Sequence, residues 1–185
     1  HANLHPAGDD ETLRSAQARL LSIRRSRAQP FRDEKLLTAW NALAGCALLA
    51  AHRNINLGPA QDRAVQIARA LTGALGAEEL LPHDVAGSPG RAFLTDHASL
   101  LLLLTMLDEE TTEFAGVTPV VADRIRAFRK ANHWIESEND DFHSVPAGTF
   151  DQPSPSGVAL AELASLRMRV RDHDPYDPRP IQNVL

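Results

Sequence analysis

The chain has 185 residues, a formal net charge of −5 and 43% hydrophobic residues, which are ordinary values for a folded globular protein. Its acidic balance argues against a nucleic-acid-binding surface, and its single cysteine, Cys46, excludes an internal disulfide and a cysteine-cluster zinc site. The longest apolar run, residues 98–107, is about half of the roughly 20 residues that a membrane-spanning helix needs. We therefore expect a cytoplasmic protein of one domain, or of two small ones, with no nucleic-acid or membrane partner.

Apolar residues recur at spacings of three and four nearly throughout the chain, which predicts helices. The first predicted helix spans residues 11–27 and ends before Pro30. The second spans residues 34–53 and is apolar on most faces, so we expect it to be buried on several sides. The third begins at Gly58–Pro59, with proline in its first turn, and closes at Gly76.

Three more helices are predicted in the second half of the chain. The fourth spans residues 95–107 and is again nearly all apolar, and the fifth begins at Thr118–Pro119. Residues 132–155 are predicted to be irregular, and the sixth helix follows at residues 156–171. Three prolines in the tail, residues 172–185, prevent a long helix there.

The predicted helices alternate in character along the chain. The first, third and fifth are amphipathic, whereas the second, fourth and sixth are more apolar. This alternation predicts an all-α fold in which residues 1–171 form one domain of three outer–inner hairpins, as part of an (α/α)6 toroid or as a stacked array. If the three inner helices are parallel, their free backbone amides and positive dipole ends meet at one mouth.

Polar residues interrupt the apolar pattern where each inner helix begins. The candidate site residues are Asp33, Lys35, Trp40, Asn41, Asp96, His97 and Ser156. Carboxylates and amides bind hydroxyl groups and an aromatic ring stacks on a sugar face, so the set suits a polyhydroxylated ligand. Asp33, Asp96 or His97 would supply acid–base chemistry.

Each candidate also has a structural interpretation. Asp and Ser at helix starts are common caps, Trp40 on an apolar helix favours the core, and His97 fits a hydrogen-bonded buried histidine. The arginines around Arg27 fit ion pairs or a solvated face. No histidine pair has metal-ligand spacing, so we predict neither a metal site nor a cofactor.

Three segments carry a family resemblance. The first has the pattern formed by Arg24, Arg27, Pro30, Asp33, Lys35, Thr38, Trp40 and Asn41; the others are FLTDHASLLLLL at residues 93–104 and DQPSPSGVAL at residues 151–160. Together they resemble the thioredoxin-domain-containing family that includes the spermatogenesis-associated thioredoxin-like protein. The chain departs from the family pattern at His97, where the family has tyrosine, and at Val158, where it has asparagine.

The resemblance implies the later half of a helical toroid of the six-hairpin glycosidase and N-acylglucosamine 2-epimerase type, without the family's thioredoxin-like domain. We expect a carbohydrate-handling domain, an isomerase or hydrolase relative that binds a small carbohydrate. Asp33, Asp96 and His97 would be its catalytic residues. Lys35 would orient Asp33 or bind an anionic group, and the remaining binding residues would be Arg27, Trp40, Asn41 and Ser156.

A non-catalytic helical module is the alternative. Half a ring leaves the flanks of its first and last inner helices uncovered, which is an exposed apolar liability. This interpretation predicts a homodimer, or association with a missing segment of the toroid.

Overall fold

The computed structural model describes residues 11–76, 80–87, 93–130, 133–137 and 145–172. The predicted all-α class is confirmed, because six helices and one two-stranded sheet make up the regular structure of these residues. The chain divides into two compact units, His1–Glu34 and Lys35–Leu185. The predicted caps of the first helix at residues 9 and 10, and the tail from residue 173 onward, lie outside the described residues.

In the first unit, residues 11–34 are described, and they contain one helix, α1, at Glu11–Arg25. It ends two residues before the predicted boundary. No residue of α1 is buried, and the leucines and isoleucine of its apolar stripe are exposed, as is the segment from residue 26 to residue 34.

The described residues of the second unit form five helices and one short hairpin. The helices are α2 Thr38–Ile55, α3 Gly58–Gly73, α4 Leu94–Leu107, α5 Thr118–Arg126 and α6 Gly157–Arg171, and the strands β1 Arg129–Lys130 and β2 His133–Trp134 pair antiparallel. The starts of α3 and α5 fall at the predicted prolines. Among the residues that the structure describes, no helix is long and apolar enough to cross a membrane.

The helix α2 begins four residues later than predicted. Leu37 is extended instead. The residue before it is held to a loop, because the Leu36 amide donates to Asp84 Oδ1 at 2.9 Å and the Leu36 carbonyl accepts from the Val85 amide at 2.9 Å. This contact with a loop from beyond α3 is long-range, and helical periodicity does not reveal it.

The helix α4 is the centre of the second unit. Twelve of its 14 residues are buried, and it packs against α2, α5 and α6. The helix α2 packs against both α3 and α4, and its fully buried residues are Thr38, Ala39, Ala42, Gly45 and Leu49. The prediction that it is buried on several sides holds for these two neighbours but not for the side that carries Trp40, Ala44 and Ala47, which is exposed.

The three inner helices are parallel, which is the condition for the shared mouth that we expect from the sequence. Where they begin, the Ala39 amide of α2 donates to Asp96 of α4 at 3.0 Å, and Gly157 of α6 lies against the backbone of Thr95. Where they end, Arg53 of α2 donates to the Met106 carbonyl of α4 at 2.8 Å, and Arg171 of α6 pairs with Asp108 at 2.7 Å. The end at which α2, α4 and α6 begin is called the shared amino-terminal end.

Candidate functional site

The carboxylate of Asp96 is buried at the shared amino-terminal end, with 1% of the residue exposed. Its Oδ1 accepts the Ala39 amide at 3.0 Å. This amide belongs to the first turn of α2, where backbone N–H groups have no partner within the helix. The N-cap residue of α2 is Leu37, whose side chain cannot accept a hydrogen bond from these N–H groups. Asp96 therefore caps a neighbouring helix from the first turn of its own.

The other carboxylate oxygen of Asp96 holds an imidazole. Its Oδ2 lies 2.9 Å from Nδ1 of His83, in the loop that precedes α4. The backbone carbonyl of His83 accepts the Thr38 amide at 2.9 Å, so the loop is fixed to the start of α2. The His83 side chain is 46% exposed, and Nε2 makes no hydrogen bond within the described part of the chain.

Two further side chains border the His83–Asp96 pair. Phe93 meets the His83 ring edge-on, with ring centroids 5.0 Å apart. Thr95 donates from Oγ1 to Glu136 Oε1 at 3.0 Å, and the Glu136 carbonyl accepts the Leu94 amide at 2.9 Å. A second carboxylate is thereby attached to the first turn of α4.

Opposing effects set the ionisation of Asp96. Burial raises its pKa from the ordinary 3.8 to about 6, because the carboxylate has lost most of its hydration. The hydrogen bond and charge of His83 and the Ala39 amide pull the pKa down, whereas the negative charge of Glu136 raises it. The carboxyl thus changes charge close to physiological pH.

His97 has a structural role in this fold. It is fully buried, its Nε2 accepts the Leu81 amide at 3.2 Å, and its Nδ1 lies 3.0 Å from the Phe93 carbonyl. Since Nε2 accepts, Nδ1 carries the proton and donates it to that carbonyl. With both ring nitrogens bonded to backbone groups, the imidazole is not positioned to act on a ligand as predicted.

Two other candidates also bond to the helices that carry them. Ser156 is the N-cap of α6, and its Oγ accepts the Ala159 amide at 3.1 Å. Asn41, half-buried in the first turn of α2, donates to the Leu37 carbonyl at 2.8 Å. Ser156 is therefore a helix cap, as its structural interpretation predicts. Asn41 bonds to the backbone of its own helix.

Trp40 lies in the first turn of α2, between Ala39 and Asn41, and is 66% exposed. The alternative that it packs in the core is therefore wrong, and its indole is accessible at the shared amino-terminal end. Lys35 is exposed just before α2. Arg27 and Asp33 belong to the first unit, where both are exposed.

Sequence reasoning missed His83 and Glu136. Each pairs with a residue that is distant along the chain, 13 positions away for His83 and 41 for Glu136. The available signal was that Pro82–His83–Asp84 opens the loop before the helix that carries Asp96. Finding the pair requires knowing that this loop folds back onto the starts of α2 and α4.

The chemistry of this site is that of a carboxylate-held imidazole with an exposed nitrogen. Within the described residues, no group of three His, Cys, Asp or Glu side chains is arranged to hold a metal ion. The site offers a proton donor or acceptor at His83, hydroxyl-binding oxygens at Thr95 and Glu136, and an accessible indole at Trp40.

Comparison with models of known protein families and with curated proteins finds no match to the chain. The resemblance carried by the three sequence segments therefore stays a prediction.

Proposed function

We propose that the second unit binds a small polyhydroxylated ligand of the sugar class and transfers a proton to or from it at the shared amino-terminal end. His83 is the proton-transferring residue and Asp96 is its positioning residue. The observation that carries this proposal is the half-exposed His83 imidazole held at 2.9 Å by a buried carboxylate.

The pair has the properties that general acid–base catalysis requires. A carboxylate that accepts from Nδ1 fixes the tautomer and the orientation of the ring, and leaves Nε2 to exchange a proton with a ligand. The carboxylate cannot swing away from His83 easily, because its other oxygen is bonded to the Ala39 amide.

The surroundings of the pair favour a hydroxylated ligand. The Glu136 carboxylate and the Thr95 hydroxyl are hydrogen-bonding groups beside the first turn of α4. The exposed Trp40 ring offers an apolar face in the first turn of α2. Sugar isomerases, epimerases and glycosidases all need a positioned proton donor or acceptor, so the proposal covers these classes without choosing between them.

The test is a binding and exchange experiment on the full chain. A panel of neutral and N-acetylated monosaccharides is titrated into the 15N-labelled protein, and any sugar that binds is then incubated with it in D2O. We expect amide shifts centred on Ala39, Trp40 and Asp96, and deuterium incorporation or another protein-dependent conversion of the sugar.

Variants assign the chemistry to the pair. His83→Ala is expected to slow the conversion by about 100-fold, the usual scale for a lost general acid or base. His133→Ala, which removes an exposed histidine of β2, is the matched control and should leave the rate unchanged. A conversion rate that His83→Ala does not alter, or a panel with no shifts at these amides, would contradict the proposal.

A further inference from the structure

The helix α6 presents an apolar stripe that no described residue covers. Leu163 is 47% exposed and Val170 is 66% exposed. Ala159 is also exposed, and Leu166 is half-buried between them. These four residues lie at spacings of four, three and four, so they form one face of the helix, opposite the face that packs against α4.

The spacing of this stripe is symmetric about the midpoint between residues 164 and 165. Antiparallel pairing of two α6 helices about a two-fold axis would therefore place Leu163 opposite Leu166, and Ala159 opposite Val170. The two-fold symmetry makes each of these two contacts occur twice in the dimer. The stripe is about 17 Å long at 1.5 Å per residue, which gives three turns of contact.

Charged residues beside the stripe select the direction of pairing. Glu162 and Arg169 are one heptad apart on the same side of the stripe. In an antiparallel pair with this register, Glu162 of one copy lies on the same flank as Arg169 of the other and about 3 Å from it along the helix axis, which their long side chains can span, and the symmetry makes this contact twice. In a parallel pair, the two-fold axis runs along the helices and places the charged flanks of the two copies on opposite sides of the interface, so Glu162 and Arg169 would not meet.

The contacts that Glu162 and Arg169 make within one copy leave both able to form this ion pair between copies. Glu162 accepts from Trp134 Nε1 at 3.2 Å and lies 3.7 Å from Arg129, so its carboxylate is held in place beside the stripe. Arg169 is half-buried, and it forms no ion pair with the residues that the structure describes.

We propose that the exposed stripe of α6 is a homodimer interface, in which α6 of one copy packs antiparallel against α6 of a second copy. The occupant of the stripe is thus another molecule of this chain. The pairing uses none of the residues assigned to proton transfer, so it stands or falls independently of the proposed function.

Sedimentation equilibrium over a range of concentrations tests the proposal on the full chain. We expect a reversible monomer–dimer equilibrium for the unaltered protein. Leu163→Glu should raise the dissociation constant by about tenfold or more, because it places a charge at the centre of the interface. Leu57→Glu is the matched control, since Leu57 is 46% exposed between α2 and α3, and it should leave the equilibrium unchanged.

A charge exchange tests the direction of pairing. Arg169→Glu should weaken the dimer by about threefold, and the added change Glu162→Arg should restore it, as expected for an exposed ion pair. Circular dichroism and urea unfolding verify that each variant remains folded. A protein that is monomeric at every concentration, or a dimer that Leu163→Glu leaves intact, would overturn the proposal. A dimer that Leu163→Glu breaks but the double exchange does not restore would overturn the antiparallel geometry.

Discussion

Burial and hydrogen bonding shift the pKa of Asp96 in opposite directions. Its pKa rises from 3.8 to about 6, so the folded protein holds a proton on this carboxyl at a pH where the unfolded chain has released it. The contribution of the Asp96 proton to the free energy of unfolding is fully present below about pH 4, and it is lost as the pH rises through about 6. The size of the effect is about 3 kcal/mol.

The first prediction concerns this pH dependence. In urea unfolding, the free energy of unfolding of the wild-type protein should fall by about 3 kcal/mol between pH 4 and pH 7 because of this proton linkage. The Asp96→Asn variant should lack this fall. Asp123→Asn, which removes an exposed carboxylate, is the control and should keep the wild-type slope. Identical slopes for wild type and Asp96→Asn would show that Asp96 ionises as an ordinary carboxyl.

His97 and His133 give the second prediction. His97→Leu removes the partners of the Leu81 amide and the Phe93 carbonyl in a buried setting, and should lower the free energy of unfolding by about 2–4 kcal/mol. His133→Leu, on the exposed side of the β1–β2 hairpin, should cost less than about 0.5 kcal/mol. Equal costs in urea unfolding would mean that the two backbone bonds to His97 contribute little.

The site could be predicted in part from single residues. Asp96 stands out because it lies in the first turn of a helix that is otherwise nearly all apolar, which places its carboxylate beside the core. The distinction between His97 and His83 could not be made, because it depends on which imidazole is turned toward backbone groups and which toward solvent. That distinction is a property of a loop, and loops lack the periodicity on which the sequence argument rests.

At the scale of elements, the start of α6 depends on a close approach to α4. A Cβ on Gly157 would lie 2.6 Å from the Thr95 hydroxyl and 3.2 Å from the Thr95 backbone N and Cα atoms. The Ser156–Gly157 pair in the third sequence segment therefore combines a helix cap with the one residue type small enough for this contact.

The third prediction follows from that contact. Gly157→Ala should lower the free energy of unfolding by about 1–3 kcal/mol, because backbone atoms of Thr95 cannot move aside as a side chain can. Gly73→Ala, at the end of α3 with nothing within 4 Å of the added carbon, should be neutral or slightly stabilising. Thermal unfolding of both variants measures the contrast, and a neutral Gly157→Ala would contradict the close approach.

Helix boundaries show what periodicity predicts well. The starts of α3, α4, α5 and α6 agree with the sequence to within one residue, since proline, serine and the onset of apolar spacing are local signals. The start of α2 was missed by four residues, because Leu36 bonds to Asp84 and Leu37 is extended. The exposed side of α2 was missed as well, since apolar composition alone does not show whether a neighbour covers each face.

At the scale of the whole molecule, the two units differ in how much they bury. The helix α4 has 12 buried residues of 14, whereas α1 has none. Protection of amides from hydrogen exchange depends on burial and cooperative packing. The toroid itself stays a prediction, because the parallel inner helices are consistent with a ring or with a stacked array.

The fourth prediction uses this difference. In hydrogen exchange measured by mass spectrometry, peptides from α4 should exchange through global unfolding and peptides from α1 should exchange through local opening, orders of magnitude faster. Peptides from α6, buried on one side only, should be protected less than those from α4. Equal protection of α1 and α4 would contradict the difference in burial between the exposed helix of the first unit and the packed helices of the second.

The account depends most on the orientation of His83 by Asp96. The direct measurement is the tautomer of the His83 ring by long-range 1H–15N correlation at pH 9, where ordinary imidazoles are neutral. We predict a proton on Nδ1, held by Asp96, and a bare Nε2, with the preference lost in Asp96→Asn. A proton on Nε2 in the wild-type protein, or the same tautomer in Asp96→Asn, would contradict the central claim.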